Sequence, residues 1–61
     1  MPAAPKFELY QDKAGKFRWR LLAANGEIIA VGEGYNTKDS AKNGIASVKS
    51  NAAKAEVVEL K

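Results

Sequence analysis

Apolar and polar positions alternate from the first ordered-looking stretch of the chain. In Lys6-Phe7-Glu8-Leu9-Tyr10-Gln11, Phe7 and Leu9 fall on one side and Glu8 and Tyr10 on the other, which predicts a half-buried strand. Asp12-Lys13-Ala14-Gly15 reads as a turn, with Gly15 suited to a positive φ. A second alternating run, residues 16–23, sets Phe17, Trp19 and Leu21 against Lys16, Arg18 and Arg20. Asn25-Gly26 is a strong hairpin signal, since both positions of a type I′ turn want φ > 0. A third strand is predicted over residues 27–33. After the loop Gly34-Tyr35-Asn36, Thr37 can cap a helix with Asp39 in its electropositive first turn. Ala41, Ile45, Val48 and Ala52 recur at i, i+4, i+7 and i+11, a narrow apolar stripe on a helix reaching about Ser50, with Asn51 able to end it. Gly44 borders that stripe, where its use is close approach of helix to sheet. Residues 55–60, Ala-Glu-Val-Val-Glu-Leu, predict a short fourth strand. The fold class is therefore α+β: a three-stranded antiparallel meander, one helix and a C-terminal strand, in the order βββαβ. Residues 1–5, with two prolines, read as a flexible lead-in, and residues 6–61 as one domain.

The turns fix a register. A two-residue Asn25-Gly26 turn places Ala24 opposite Glu27, Leu22 opposite Ile29, Arg20 opposite Val31 and Arg18 opposite Glu33. A three-residue loop with Gly15 in the bulge position places Asp12 opposite Lys16. Tyr10 then faces Arg18, Glu8 faces Arg20, Leu9 faces Trp19 and Phe7 faces Leu21. Both hairpins agree on one core face of Phe7, Leu9, Phe17, Trp19, Leu21, Ile28 and Ala30. The opposite face carries Glu8, Tyr10, Arg18, Arg20, Leu22, Ile29, Val31 and Glu33, and a slip of one residue would scramble both sets.

Composition changes the picture by showing how thin this core is. Of 61 residues 46% are apolar, but eleven of those are alanine. Burial worth on the order of 85 kcal/mol is set against about 80 kcal/mol of ordering entropy, which leaves almost nothing. Disulfides and thiolate metal sites are excluded by the lack of cysteine. The lack of histidine removes Ser-His and Cys-His nucleophile pairs and the usual zinc sites. Self-association is then the remaining route to stability. The fourth strand follows a crossover helix and needs an edge to join. Exchange of identical strands between two copies supplies one at low cost. The other reading returns strand four beside strand one of its own chain.

Several segments resemble the YegP-like family of small bacterial and archaeal proteins of uncharacterised function. They are Lys6-Phe-Glu-Leu-Tyr10, Phe17-Arg-Trp-Arg-Leu21, Ala24-Asn-Gly-Glu-Ile28, Gly34-Tyr35 and Ser40-Ala-Lys-Asn-Gly-Ile45. The resemblance covers roughly residues 6–60. It implies a β(3)-α-β unit that occurs in pairs, in tandem or as a homodimer, with two units forming one sheet and exchanging their C-terminal strands. Val57, Val58 and Leu60 are the residues expected to make that exchange. The family supplies no catalytic residues, so none is carried over.

Functionally, a dimeric structural or interaction module is expected, with no catalysis and no cofactor or metal. The alternative is weak binding of nucleic acid or another polyanion. Net charge is +3, and Lys16, Arg18 and Arg20 on strand two and Lys38, Lys42 and Lys49 on the helix would make the contacts. Against this, the register puts Phe17 and Trp19 on the core face, away from the arginines, so no basic aromatic platform for stacking bases forms. The acids Glu8, Asp12, Glu27, Glu33, Asp39, Glu56 and Glu59 are scattered, and Gly32-Glu33-Gly34 is a lone Gly-x-Gly rather than a phosphate cradle. The N-terminal residues do not read as a secretory signal, and no run of apolar residues is long enough to span a membrane. With no cysteine, the cytoplasm is the expected compartment.

Overall fold

The computed structural model describes residues 4–61, so most of the expected lead-in, residues 1–3, lies outside the described residues. Strands β1 (Lys6–Gln11), β2 (Phe17–Leu22) and β3 (Ile28–Val31) form one antiparallel sheet in the order β1-β2-β3. Helix α1 (Lys38–Ala52) crosses one face of it. It packs over β2 and β1 and makes no contact with β3.

The first hairpin has the register its sequence dictates. Phe7 faces Leu21, Glu8 faces Arg20, Leu9 faces Trp19 and Tyr10 faces Arg18. Asp12 N–H donates to Lys16 O at 2.8 Å and Gly15, at φ 85°, donates back to Asp12 O at 3.0 Å. The Asp12 carboxylate closes the loop by accepting from the N–H groups of Ala14 and Lys16, both at 2.9 Å.

The second hairpin departs from the expected type I′ turn. Only Gly26 has a positive φ, 90°, and no residue other than glycine does. The loop is three residues long and repeats the first one. Ala23 N–H donates to Glu27 O at 2.8 Å and Gly26 N–H to Ala23 O at 2.9 Å. Asn25 stays out of the left-handed region because its side chain has other work: it accepts from Glu27 N–H at 3.1 Å and donates to the Glu27 carboxylate at 2.7 Å. Leu22 consequently faces Ile28, not Ile29. A bulge opposite the Leu21/Leu22 step then restores the expected pairs Leu21 with Ala30 and Arg20 with Val31. The slip also turns Ile28 away from the core it was expected to join, leaving it 55% exposed.

The core sits where β2 passes under α1. Trp19 and Ala41 are its buried residues, and Phe7, Leu9, Phe17, Leu21, Ala30, Ile45 and Val48 are half-buried around them. The Phe7 and Trp19 rings meet edge to face with centroids 5.5 Å apart. Thr37 caps α1 as expected, accepting from Ser40 N–H at 3.1 Å. Asn51 does not end the helix. It lies inside the last turn with its amide donating to Ser47 O at 2.9 Å, and Ala53 is the C-cap. Gly44 gives the close approach anticipated for it, since a Cβ there would overlap the Tyr35 hydroxyl. A Cβ at Gly32 would overlap the Trp19 indole in the same way. Tyr35, unassigned by the pattern, is held by paired backbone bonds to Phe17, both 2.8 Å.

The predicted fourth strand is not formed within the chain. Beyond Ala53 the backbone runs on without strand pairing to Lys61. No edge of the chain's own sheet receives it, so the ladder that would define a strand is missing.

Trp19→Ala should lower stability by about 3–5 kcal/mol, read by urea unfolding at fixed protein concentration. Gly44→Ala should also destabilise, because the Tyr35 ring must move. A neutral Gly44→Ala would refute the close-approach account.

Candidate functional site

Two surfaces are unusual for so small a protein. The first is the segment after α1. Val57 is 101% exposed, Val58 68% and Leu60 86%. Three large apolar side chains within four residues are thus left in the open. The second is a groove of about 380 Å³ lined by Leu9, Tyr10, Gln11, Phe17, Lys38 and Lys42, between the free edge of β1 and the first turns of α1.

The basic residues do not converge. Arg20 on β2 is bound to Glu8 across the strand pair, Nε to Oε1 at 2.7 Å, and lies 5.2 Å above the centre of the Tyr10 ring. Lys6 reaches the other Glu8 oxygen at 3.3 Å. Arg18 pairs with Asp12 at 2.6 Å, not with Glu33 as the register suggested. The turn carboxylate is already pinned by two backbone N–H groups beside it, which makes it the better placed acid. Lys16 donates to Asn36 across the loop. Lys38 and Lys42 border the groove, whereas Lys49 is in the last turn of α1.

These contacts shift the titration of the acids. The Arg20 guanidinium, helped by Lys6, holds Glu8 below its ordinary value. The Arg18 guanidinium, then the Lys16 N–H, does the same for Asp12, and Asp12 in turn raises Arg18. Such exposed pairs join charges that would otherwise be free to meet a ligand. Among the described residues there is no cluster of three or more His, Cys, Asp or Glu able to hold a metal ion, and no helix is long and apolar enough to cross a membrane.

The sequence marked Val57, Val58 and Leu60 for strand exchange, and the structure leaves all three exposed. It did not mark Leu9, Tyr10, Gln11 and Phe17 as groove residues. The available signal was that β1, with no partner on its outer side, keeps its backbone groups open.

Residues 12–59 match the family described as a domain of unknown function, DUF1508. A UPF0339 protein of Treponema denticola is 58% identical over 57 residues, covering 93% of this chain and 98% of its own. The solution structure of a Haloferax volcanii protein is 51% identical and superposes with a TM-score of 0.82, covering 95% of this chain and 98% of that one. The UPF0339 protein PA0329 of Pseudomonas aeruginosa is 48% identical over 95% of this chain, but the match spans only 53% of its length.

Both acids have folded-state values below their unfolded ones. Their contribution is present above the ordinary carboxylate range and is lost as pH falls through the lowered folded values. Stability should therefore decline from about pH 5 toward about pH 2, and Glu8→Gln should flatten part of that slope in denaturant titrations read across pH. An unchanged slope would show that the Arg20 pair contributes nothing.

Proposed function

We propose, since this chain belongs to the YegP-like family of small DUF1508-domain proteins, that it is a dimerising interaction module without catalytic activity. Two copies complete one sheet by exchanging residues 55–61. The observation that carries this reading is the bare tail: Val57, Val58 and Leu60 have no cover in one chain.

The size of the molecule supports it. A compact protein of this mass exposes about 3,900 Å², and this chain exposes 5093 Å². Its radius of gyration is 13.2 Å, against about 10.5 Å for a compact chain of the same length. The excess area exceeds the roughly 800 Å² per partner that a standard stable interface buries. The Pseudomonas aeruginosa relative, about twice as long as the matched region, has the length of two fused units.

Polyanion binding through Lys16, Arg18, Arg20, Lys38, Lys42 and Lys49 is the weaker reading. Arg18 and Arg20 already have carboxylate partners, and the others are divided between the residue before β2 and two ends of the helix. Phosphate contacts release counterions and must weaken with salt.

Light scattering should give twice 6.6 kDa, persisting on dilution, and deletion of residues 55–61 should give a monomer or an unfolded chain. A folded truncated dimer would refute the exchange. Fluorescence anisotropy with short DNA and RNA should show no salt-dependent binding at low ionic strength.

A further inference from the structure

We infer that Asn25 is a site of self-modification: in the folded protein its side-chain amide condenses with the Gly26 nitrogen, and the step ages to aspartate or isoaspartate under the restraint of Glu27. The second Asn-Gly step of the chain, Asn43-Gly44, is spared by the helix that contains it. This chemistry is independent of the dimer.

The two steps are chemically identical and differently held. A glycine that follows asparagine has no Cβ to shield its nitrogen from the neighbouring carboxamide. Asn36 and Asn51 lack that opening, being followed by Thr37 and Ala52. Asn25 and Gly26 are both exposed in the turn between β2 and β3, and a Cβ at Gly26 would meet nothing within 4 Å. Gly44 lies in the middle of α1, against Tyr35 and Trp19. There its N–H belongs to the helical ladder, and ring closure requires Asn43 to abandon helical dihedrals. Opening the middle of a helix costs more than opening a short surface loop.

The reaction needs only water. The Gly26 nitrogen attacks Asn25 Cγ, the Cγ–Nδ2 bond breaks, and Nδ2 leaves as ammonia with the proton that Gly26 gives up. Water then opens the resulting cyclic imide. Opening at Cγ returns the normal backbone with aspartate, whereas opening at the backbone carbonyl leaves the chain running through Cγ as isoaspartate. Either way the hydroxyl of water becomes part of the new carboxyl group and its proton returns to the Gly26 nitrogen. Glu27 stands in the way of the first step. Its N–H holds Asn25 Oδ1 at 3.1 Å and its carboxylate holds Nδ2 at 2.7 Å, while the Gly26 N–H is engaged by Ala23 O at 2.9 Å. Loss of the amide sets a carboxylate against Glu27 where a donor was. The isoaspartyl form also lengthens the backbone of the loop that sets the register of β3.

Incubation of the full-length protein at mildly alkaline pH, read by tryptic mass spectrometry and by enzymatic methylation of isoaspartate, tests this. Asn25 lies in peptide 21–38 and Asn43 in peptide 43–49, so each is followed separately. In the folded protein Asn25 should convert about tenfold faster than Asn43 or more, and in urea the two rates should converge. Glu27→Ala removes the bond to Nδ2 and should speed Asn25 by roughly two- to tenfold while leaving Asn43 unchanged. A Glu27→Ala chain that unfolds would speed both, and the comparison within the unaltered protein still decides. Equal rates at the two steps when folded, or conversion of Asn43 first, would overturn the assignment. So would an Asn25 that stays intact over the time in which the urea-treated chain converts. An Asn25 that reacts no faster in folded Glu27→Ala would overturn the restraint.

Discussion

The fold depends on one indole. Trp19 is the large side chain that a single sheet and a single helix manage to enclose, and the enclosure works because two glycines let backbone come up against it. Gly32 admits the ring from β3's end of the sheet, and Gly44 lets α1 settle onto Tyr35 and the indole together. Each glycine gives up chain entropy in exchange for contact that a Cβ would forbid. Phe7 and the small residue Ala41 complete the seal. Everything farther from this point is only half covered.

That limited reach explains the division of the surface. The three ion pairs lie along the sheet and its first turn, where they neutralise two arginines and a lysine at modest energetic gain. Apart from Tyr10 on β1, the large apolar residues left outside fall in two places, on β3 and in the tail. A chain this short cannot wrap both around one tryptophan. Completing the structure from outside is the physical alternative to a larger core.

The first hairpin was legible in the sequence to the residue, because the strand alternation and the Gly15 turn agree independently on one register. The second was legible only in part. Asn25-Gly26 does mark the hairpin, but which of two loops it makes depends on the Asn25 side chain, and that choice displaced Ile28 from core to surface. The capped helix and the role of Gly44 could be read from local chemistry. Tyr35 could not, since its placement comes from backbone bonds to a strand eighteen positions earlier. The tail's apolar character was plain, whereas its lack of a partner within the chain is a property of topology, which residue periodicity does not encode. The groove was hidden for the same reason: it exists only where an edge and a helix end meet.

The bulge in β3 has a bearing on growth. A sheet with two straight borders can recruit copies without limit and thicken into a fibre. Here the kinked border is a poor template for another backbone, while the straight one packs beside a helix. Under the proposed exchange of tails, an unequal pair of borders would limit assembly to a finite stoichiometry.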